Sequence, residues 1–352
     1  MRIVFLGLSV TSSWGNGHAT NYRGLMRALH ERGHDVLFLE RDVPWYASER
    51  DMPEPPWGRT ELYGSLGQLR DEHEDAVREA DLVIVGSYVP DGVAVGDWVQ
   101  ETACGLPAFY DIDTPVTLAK LARGDHEYLA PRQIPGYGLY LSFTGGPTLE
   151  RLERVLGSPR ARAFHCLVDP AAYYPEQVPV RWLLGYLGTY SDDRQPALDR
   201  LLIEPARRNR ALPAVVAGPR YPDSIEWPPN VERVDHLPPA RHRAFYSAQR
   251  LAVNVTRADM VQAGWSPSVR LFEAAACATP VVSDRWPGLE EIFPEVIVAD
   301  GPGDVEAALA RDPEEMRAIG ERARERVLRE HTAECRAVEL EEHVREAQAV
   351  WA

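Results

Sequence analysis

The chain has 352 residues, a formal net charge of -15 at pH 7, and 45% hydrophobic and 26% charged residues. That length exceeds one ordinary core and suits two domains, and the composition is that of a soluble enzyme. The acidic balance disfavours nonspecific binding to nucleic acid or anionic lipid, while leaving room for a local basic cleft. The cysteines, Cys104, Cys166, Cys277 and Cys335, are far apart and form no CxxC or metal-ligand pattern, which points to free thiols in a reducing cytoplasm. No run approaches a membrane span, and the apolar start at residues 1–7 is too short for a signal peptide.

Residues 3–6 read as a first strand, followed by a glycine-bearing loop to His18. Leu25, Ala28 and Leu29 recur at helical spacing over 19–32, Gly33 suits a C-cap, and 35–39 is a second strand. The loop is not GxGxxG, so the dinucleotide fingerprint is absent. His18 stands at the loop-helix junction, where it either handles a proton and a hydroxyl or simply caps. Residues 41–59, rich in Trp, Tyr and Pro, read as a long ordered loop in which Trp45 and Tyr46 stack on a ring or cover the core. A helix over 65–80 leads to a buried strand at 82–85, then a helix over 91–103 and a strand at 107–110. That strand runs into Asp111 and Asp113, which in extended chain project to one face and suit acceptor binding or base work; Asp113 or Thr114 also suits a helix cap before Pro115. A strand at 139–143 and a helix over 149–156 follow. The Pro- and Tyr-rich passage 169–180 reads as the domain boundary.

A second series of strands begins at 182–187. Gly188 and Arg194 precede a helix over 196–208, and a strand at 213–218 ends at Arg220 and Tyr221. A strand at 231–234 ends near His236 and Leu237, whose backbone suits a planar base edge. The apolar run 251–255 leads to Ser266, Ser268 and Arg270, an Ala-rich helix carrying Glu273, and a strand at 281–283. The helix start favours an anion, and Arg270 adds fixed positive charge beside it. Helices close the chain, the last over 334–350 with Val338, Val344, Ala347 and Trp351 as its apolar stripe.

The segment from Arg270 to Asp284, with Pro287-Gly-Leu-Glu-Glu291, the loop Gly15-Asn-Gly-His18, and Leu187-Gly-Thr189, resembles the GT-B glycosyltransferases, closest to the CgeB-like and GT4-like groups. The resemblance implies an α/β fold of two Rossmann-like domains facing across a cleft. Their expected extents are 1–175 for the acceptor and 176–330 for the donor, with 331–352 a helix crossing back. It implies metal-independent sugar transfer, retaining by GT4 likeness, from a nucleoside-diphosphate sugar to a nucleophilic acceptor. Glu273 matches the second glutamate of the Glu-x7-Glu motif and would hold the donor ribose. The first position is Trp265, so contacts to the donor sugar differ. Ser266, Ser268 and Arg270 would face the pyrophosphate or sugar, with Arg194 and Arg220 as further cations. Gly188, Tyr221, His236 and Leu237 complete the expected donor edge. His18, Asp111, Asp113 and Arg270 are the catalytic candidates. A nucleotide-sugar epimerase or hydrolase, and a noncatalytic nucleotide-sugar binder, are the competing readings. A homodimer is compatible with such a chain.

Overall fold

The computed structural model describes residues 1–351 and divides into two units, one comprising residues 1–167 with the chain from residue 333 onward, the other residues 168–332. The first unit holds a seven-stranded sheet of β1 (Arg2–Gly7), β2 (Asp35–Arg41), β3 (Arg59–Tyr63), β4 (Leu82–Gly86), β5 (Leu106–Asp111), β6 (Leu139–Ser142) and β7 (Ala161–Ala163). Their order is β3-β2-β1-β4-β5-β6-β7, all parallel. Parallel strands covered on both faces need apolar residues without alternation, which is why β4 and β5 are buried along their whole length. Two edge strands went unforeseen. β3 carries Arg59, Thr60 and Glu61 and lacks an apolar run, and β7 is only three residues long. Helix α1 (Ala19–Glu31) packs Tyr22, Leu25, Met26 and Leu29 inward.

The second unit holds a six-stranded parallel sheet of β8 (Trp182–Leu187), β9 (Ala214–Ala217), β10 (Val231–Val234), β11 (Gln249–Asn254), β12 (Val281–Ser283) and β13 (Ile297–Val298), ordered β10-β9-β8-β11-β12-β13. The Ala-rich segment forms α2 (Val269–Ala276). The helix expected over 196–208 is interrupted: Gln195–Leu198 and Glu204–Arg208 are α-helical, and Asp199–Ile203 between them is a π turn. Pro205 has no N–H to return to the preceding turn, so the ladder widens there.

The passage read as the junction, 169–180, lies within the second unit, where the Tyr173 hydroxyl donates to Glu273. The second unit closes on itself where the Val168 N–H donates to the His331 carbonyl and Val168 pairs with Thr332. The last helix, α3 (Ala333–Trp351), belongs to the first unit. It buries Ala337, Leu340, Val344 and Ala347, whereas Val338 is half-buried and Trp351 is exposed, so Val344 and Ala347 of the expected stripe face inward and its two end positions do not. Among the described residues no helix is long and apolar enough to cross a membrane.

Candidate functional site

Strand order in the second sheet reverses between β8 and β11. Open α/β sheets bind ligands at the carboxyl end of such a pair, where successive loops part. Arg270, on the first turn of α2, spans this crevice. Its Nε donates to the Leu187 carbonyl at the end of β8, and its Nη1 donates to Asn254 Oδ1 at the end of β11, 2.8 Å away. The guanidinium lies 4.5 Å from the centre of the Tyr186 ring. A Cβ on Gly188 would fall 2.7 Å from Arg270 Nη2 and 2.5 Å from the Tyr186 hydroxyl, so any side chain there would have to push the guanidinium and the phenol aside.

Asn254, fully buried, is the hub of this arrangement. Its Oδ1 also accepts from Ser268 Oγ at 2.7 Å, and its Nδ2 donates to Ser283 Oγ at 2.8 Å. Ser283 and Thr256 carry the network to Asp284, which accepts from Thr256 N at 3.1 Å and Thr256 Oγ1 at 2.8 Å. Burial raises the Asp284 pKa against these hydrogen bonds. The sequence reading assigned no role to Asn254. Its signal was a polar residue ending the apolar run Leu-Ala-Val-Asn254, where a core strand has no use for an amide.

The other residues expected at this edge separate into distinct surroundings. Glu273 is buried and accepts from the Tyr173 hydroxyl at 2.8 Å and the Tyr246 hydroxyl at 3.0 Å, so both oxygens have internal donors. Ser266 is buried and Ser268 half-buried. Arg194 donates from Nη2 to the Thr189 carbonyl at 2.8 Å, while its Nε is shielded and has no hydrogen-bond partner. Tyr221 donates to the Gly188 carbonyl at 3.2 Å, and Arg233 lies 4.1 Å from its ring centre, occupying one face of the ring. Arg220 is exposed, with φ at +70°. His236 is exposed, and the Leu237 carbonyl accepts from His242 Nε2 at 3.1 Å, so that acceptor is committed inside the unit.

In the first sheet the order reverses between β1 and β4. The loop leaving β1 wraps the buried Glu40 carboxylate, which accepts from Ser9 Oγ (2.9 Å), Val10 N (2.7 Å), Thr11 N (3.0 Å) and Thr11 Oγ1 (2.6 Å). A second clamp joins Arg23 to Asp51, which also takes the Ser13 N–H and hydroxyl. Burial works against the Asp51 charge, but Arg23 prevails and holds its pKa down at about 2. His18 follows, half-buried, with its N–H donating to Asn16 Oδ1 and its ring centre 5.8 Å from that of Phe143.

Asp111 and Asp113 do not share a strand face. β5 ends at Asp111, and the chain turns through Ile112 so that Asp113 starts the helix Thr114–Ala122. Asp111 has no exposed surface; it accepts from the Tyr140 hydroxyl at 2.6 Å and Thr117 Oγ1 at 2.7 Å. Burial outweighs those donors and pushes its pKa up to about 6. Asp113 is half-buried and accepts from the Tyr88 hydroxyl at 2.9 Å, with Tyr88 held at φ +66°. Among the described residues no group of three or more His, Cys, Asp or Glu is arranged to hold a metal ion.

Residues 194–342 match the family described as Glycosyl transferase-like. No curated protein matches the sequence. Among solved structures, sucrose-phosphate synthase from Thermosynechococcus elongatus is similar over 99% of this chain and 100% of its own, with 17% identity and a TM-score of 0.71. Anabaena HepE, in complex with UDP and glucose, is similar over 98% of this chain and 100% of its own, with 13% identity and a TM-score of 0.72. An alpha-glucosyltransferase in complex with UDP and DNA is similar over 98% of this chain and 99% of its own, with 13% identity and a TM-score of 0.67. The fold is GT-B. The matched segment begins at Arg194 and contains the whole β11–α2–β12 region around Arg270. In this GT-B chain the Arg270 crevice is therefore built from matched residues and from the end of β8 just before them.

Proposed function

We propose that the protein is a glycosyltransferase, CgeB-like within the GT4-like group, moving a sugar from a nucleoside-diphosphate sugar to a nucleophilic acceptor. The second unit takes the donor and the first takes the acceptor. The observation that carries this reading is Arg270, held by Leu187 and Asn254 across the reversal of the second sheet and at the start of α2. The departing nucleoside diphosphate gathers negative charge, and a fixed guanidinium beside helix-start amides stabilises it without reorganising. Arg194, with its shielded and unpartnered Nε, is a second cation for the same charge. Protein donors thus fill the role a metal would have. UDP occupies HepE and the alpha-glucosyltransferase, which supports a nucleoside diphosphate here.

On the first unit, His18 and Asp113 are the half-buried groups to orient or deprotonate an acceptor hydroxyl, while buried Asp111 accepts from the Asp113 N–H at 3.3 Å and supports that residue from inside. A retaining, front-face path follows the GT4 likeness, with Asp113 or His18 as base if the path inverts. A cytoplasmic setting agrees with four free thiols.

Trp265 at the expected glutamate and the enclosed Glu273 favour one second reading, a noncatalytic nucleotide-sugar binder. Incubation with a nucleotide-sugar panel, with and without hydroxylated acceptors and followed by mass spectrometry, separates the two. Transfer gives a heavier acceptor and free nucleoside diphosphate. Binding with no change in any mass overturns the transferase. Arg270→Lys keeps the charge but not the fork, and is expected to weaken donor binding about tenfold or more, the loss of a charge-assisted hydrogen bond.

A further inference from the structure

Trp265 lies three residues before Ser268, the N-cap of α2, on the loop leaving β11. The loop leaving β12 meets it there, and the Trp265 N–H donates to the Pro287 carbonyl at 2.7 Å. Both loops leave the carboxyl ends of neighbouring strands, so the indole stands on the ligand edge beside Ser266 and Ser268.

Three constraints hold this ring. Its backbone sits at φ +44°, a left-handed conformation that bulky residues avoid. Its five-membered ring rests on Gly288, where a Cβ would fall 2.5 Å from Cδ1 and Nε1; Gly288 itself has φ +84°. Its Nε1–H donates to Glu291 Oε2 at 2.8 Å. The ring is nevertheless only half-buried. A tryptophan that merely fills a core needs no strained backbone, and one left to solvent needs no carboxylate to fix its rotation. Strain of this kind gathers at ligand clamps.

We propose that Trp265 is the platform on which the transferred sugar rests, with Gly288 and Glu291 as positioning residues. The inference rests on the transfer reading above: once a diphosphate lies at the start of α2, its neighbours are the nucleoside ribose on one side and the sugar ring on the other, and a flat apolar indole matches the sugar ring, a choice that the comparison of diphosphate with nucleotide sugar below tests. A pyranose presents an apolar C–H face that an indole matches in shape, and the indole offers it no hydrogen-bond acceptor. Recognition here is therefore by ring face instead of by a bond to one hydroxyl. The Nε1–H, the only polar atom of the indole, is already committed to Glu291.

The test compares the affinity of the full chain for a nucleoside diphosphate with its affinity for the matching nucleotide sugar. UDP and UDP-glucose come first, then any pair the panel selects, measured calorimetrically in wild type, Trp265→Ala, Trp265→Phe and Glu291→Ala. Affinity for the diphosphate alone should stay within about twofold in all four, which also certifies folding. Affinity for the nucleotide sugar should fall about fivefold or more in Trp265→Ala, the size of an aromatic stacking contact. Trp265→Phe should recover most of that loss, and Glu291→Ala should show an intermediate one. Equal losses for both ligands in Trp265→Ala would make the residue a shaper of the loop and overturn the proposal, as would no loss for either. If wild type binds the diphosphate and no nucleotide sugar at all, the transfer reading fails first and this inference with it.

Discussion

At the scale of single residues, Asp111 shows how a carboxylate at a strand end can be structural. Its pKa is raised from 3.8 to about 6, first by burial, with Tyr140 and Thr117 pulling the other way. The folded state therefore holds a proton that the unfolded chain releases sooner. The contribution of the protonated form is fully present below pH 3.8 and is lost as pH rises through 6. Asp111→Asn mimics the protonated acid and removes this dependence, since the Tyr140 and Thr117 hydroxyls can also accept. Its stability relative to wild type should rise by up to about 3 kcal/mol between pH 4 and pH 7. Urea unfolding across that range checks it, and a flat difference would remove the raised pKa. The sequence made Asp111 and Asp113 legible as a pair at the end of an apolar strand. It could not tell them apart, because a one-residue turn at Ile112 decides which of them the core swallows. Glu40 was invisible for the same reason: its four donors come from a loop some thirty residues earlier.

At the scale of elements, the β11–α2–β12 unit was legible because its strands are apolar runs and its helix is rich in good helix formers. What the pattern could not convey is how loops from different strands touch. Gly218, just after β9, has φ +137°, and a Cβ there would fall 2.1 Å from the Gly188 carbonyl oxygen. Gly188 in turn rests on Arg270. Gly218→Ala should therefore displace Gly188 as well as strain its own backbone. A cost of about 1–3 kcal/mol is expected for the strain, together with weaker binding of the nucleotide sugar. Gly303, on the helix Pro302–Leu309 with nothing within 4 Å of its would-be Cβ, is the control. Gly303→Ala should be neutral or stabilising by about 0.5–1 kcal/mol and leave binding unchanged. Thermal melts with a titration of both variants make the comparison, and equal effects at the two glycines would refute the contact argument.

At the scale of the whole molecule, the chain leaves its first unit after Leu167 and returns to it with α3. Composition and length foretold two domains, but the pattern could not say which surface the last helix returns to, because an amphipathic helix does not name the surface it covers. Two kinds of contact hold it. Leu340, Val344 and three alanines, Ala333, Ala337 and Ala347, are buried. Glu341 accepts from Arg32 at 2.7 Å and sits 2.7 Å from His34 Nε2. Burying the two larger side chains alone is worth several kcal/mol, at about 1.5–3 kcal/mol each, a large part of a typical domain's stability of about 5–15 kcal/mol. The ion pair, near the surface, is worth about 0–1 kcal/mol and is screened by salt. Ending the chain at Thr332 should therefore abolish cooperative unfolding of the first unit and open it to limited proteolysis, whereas Glu341→Gln should cost little and nothing in high salt. The small effect carries its own signature. The Arg32 hydrogen bond, ahead of His34, lowers the Glu341 pKa from 4.5 to about 2, so its contribution is present above pH 4.5 and disappears as pH falls towards 2. The stability gap between Glu341→Gln and wild type should close over that interval, while the defect of the truncated chain persists at every pH. A truncated chain that melts as sharply as the full one would mean that α3 is dispensable and that the first unit is complete without it.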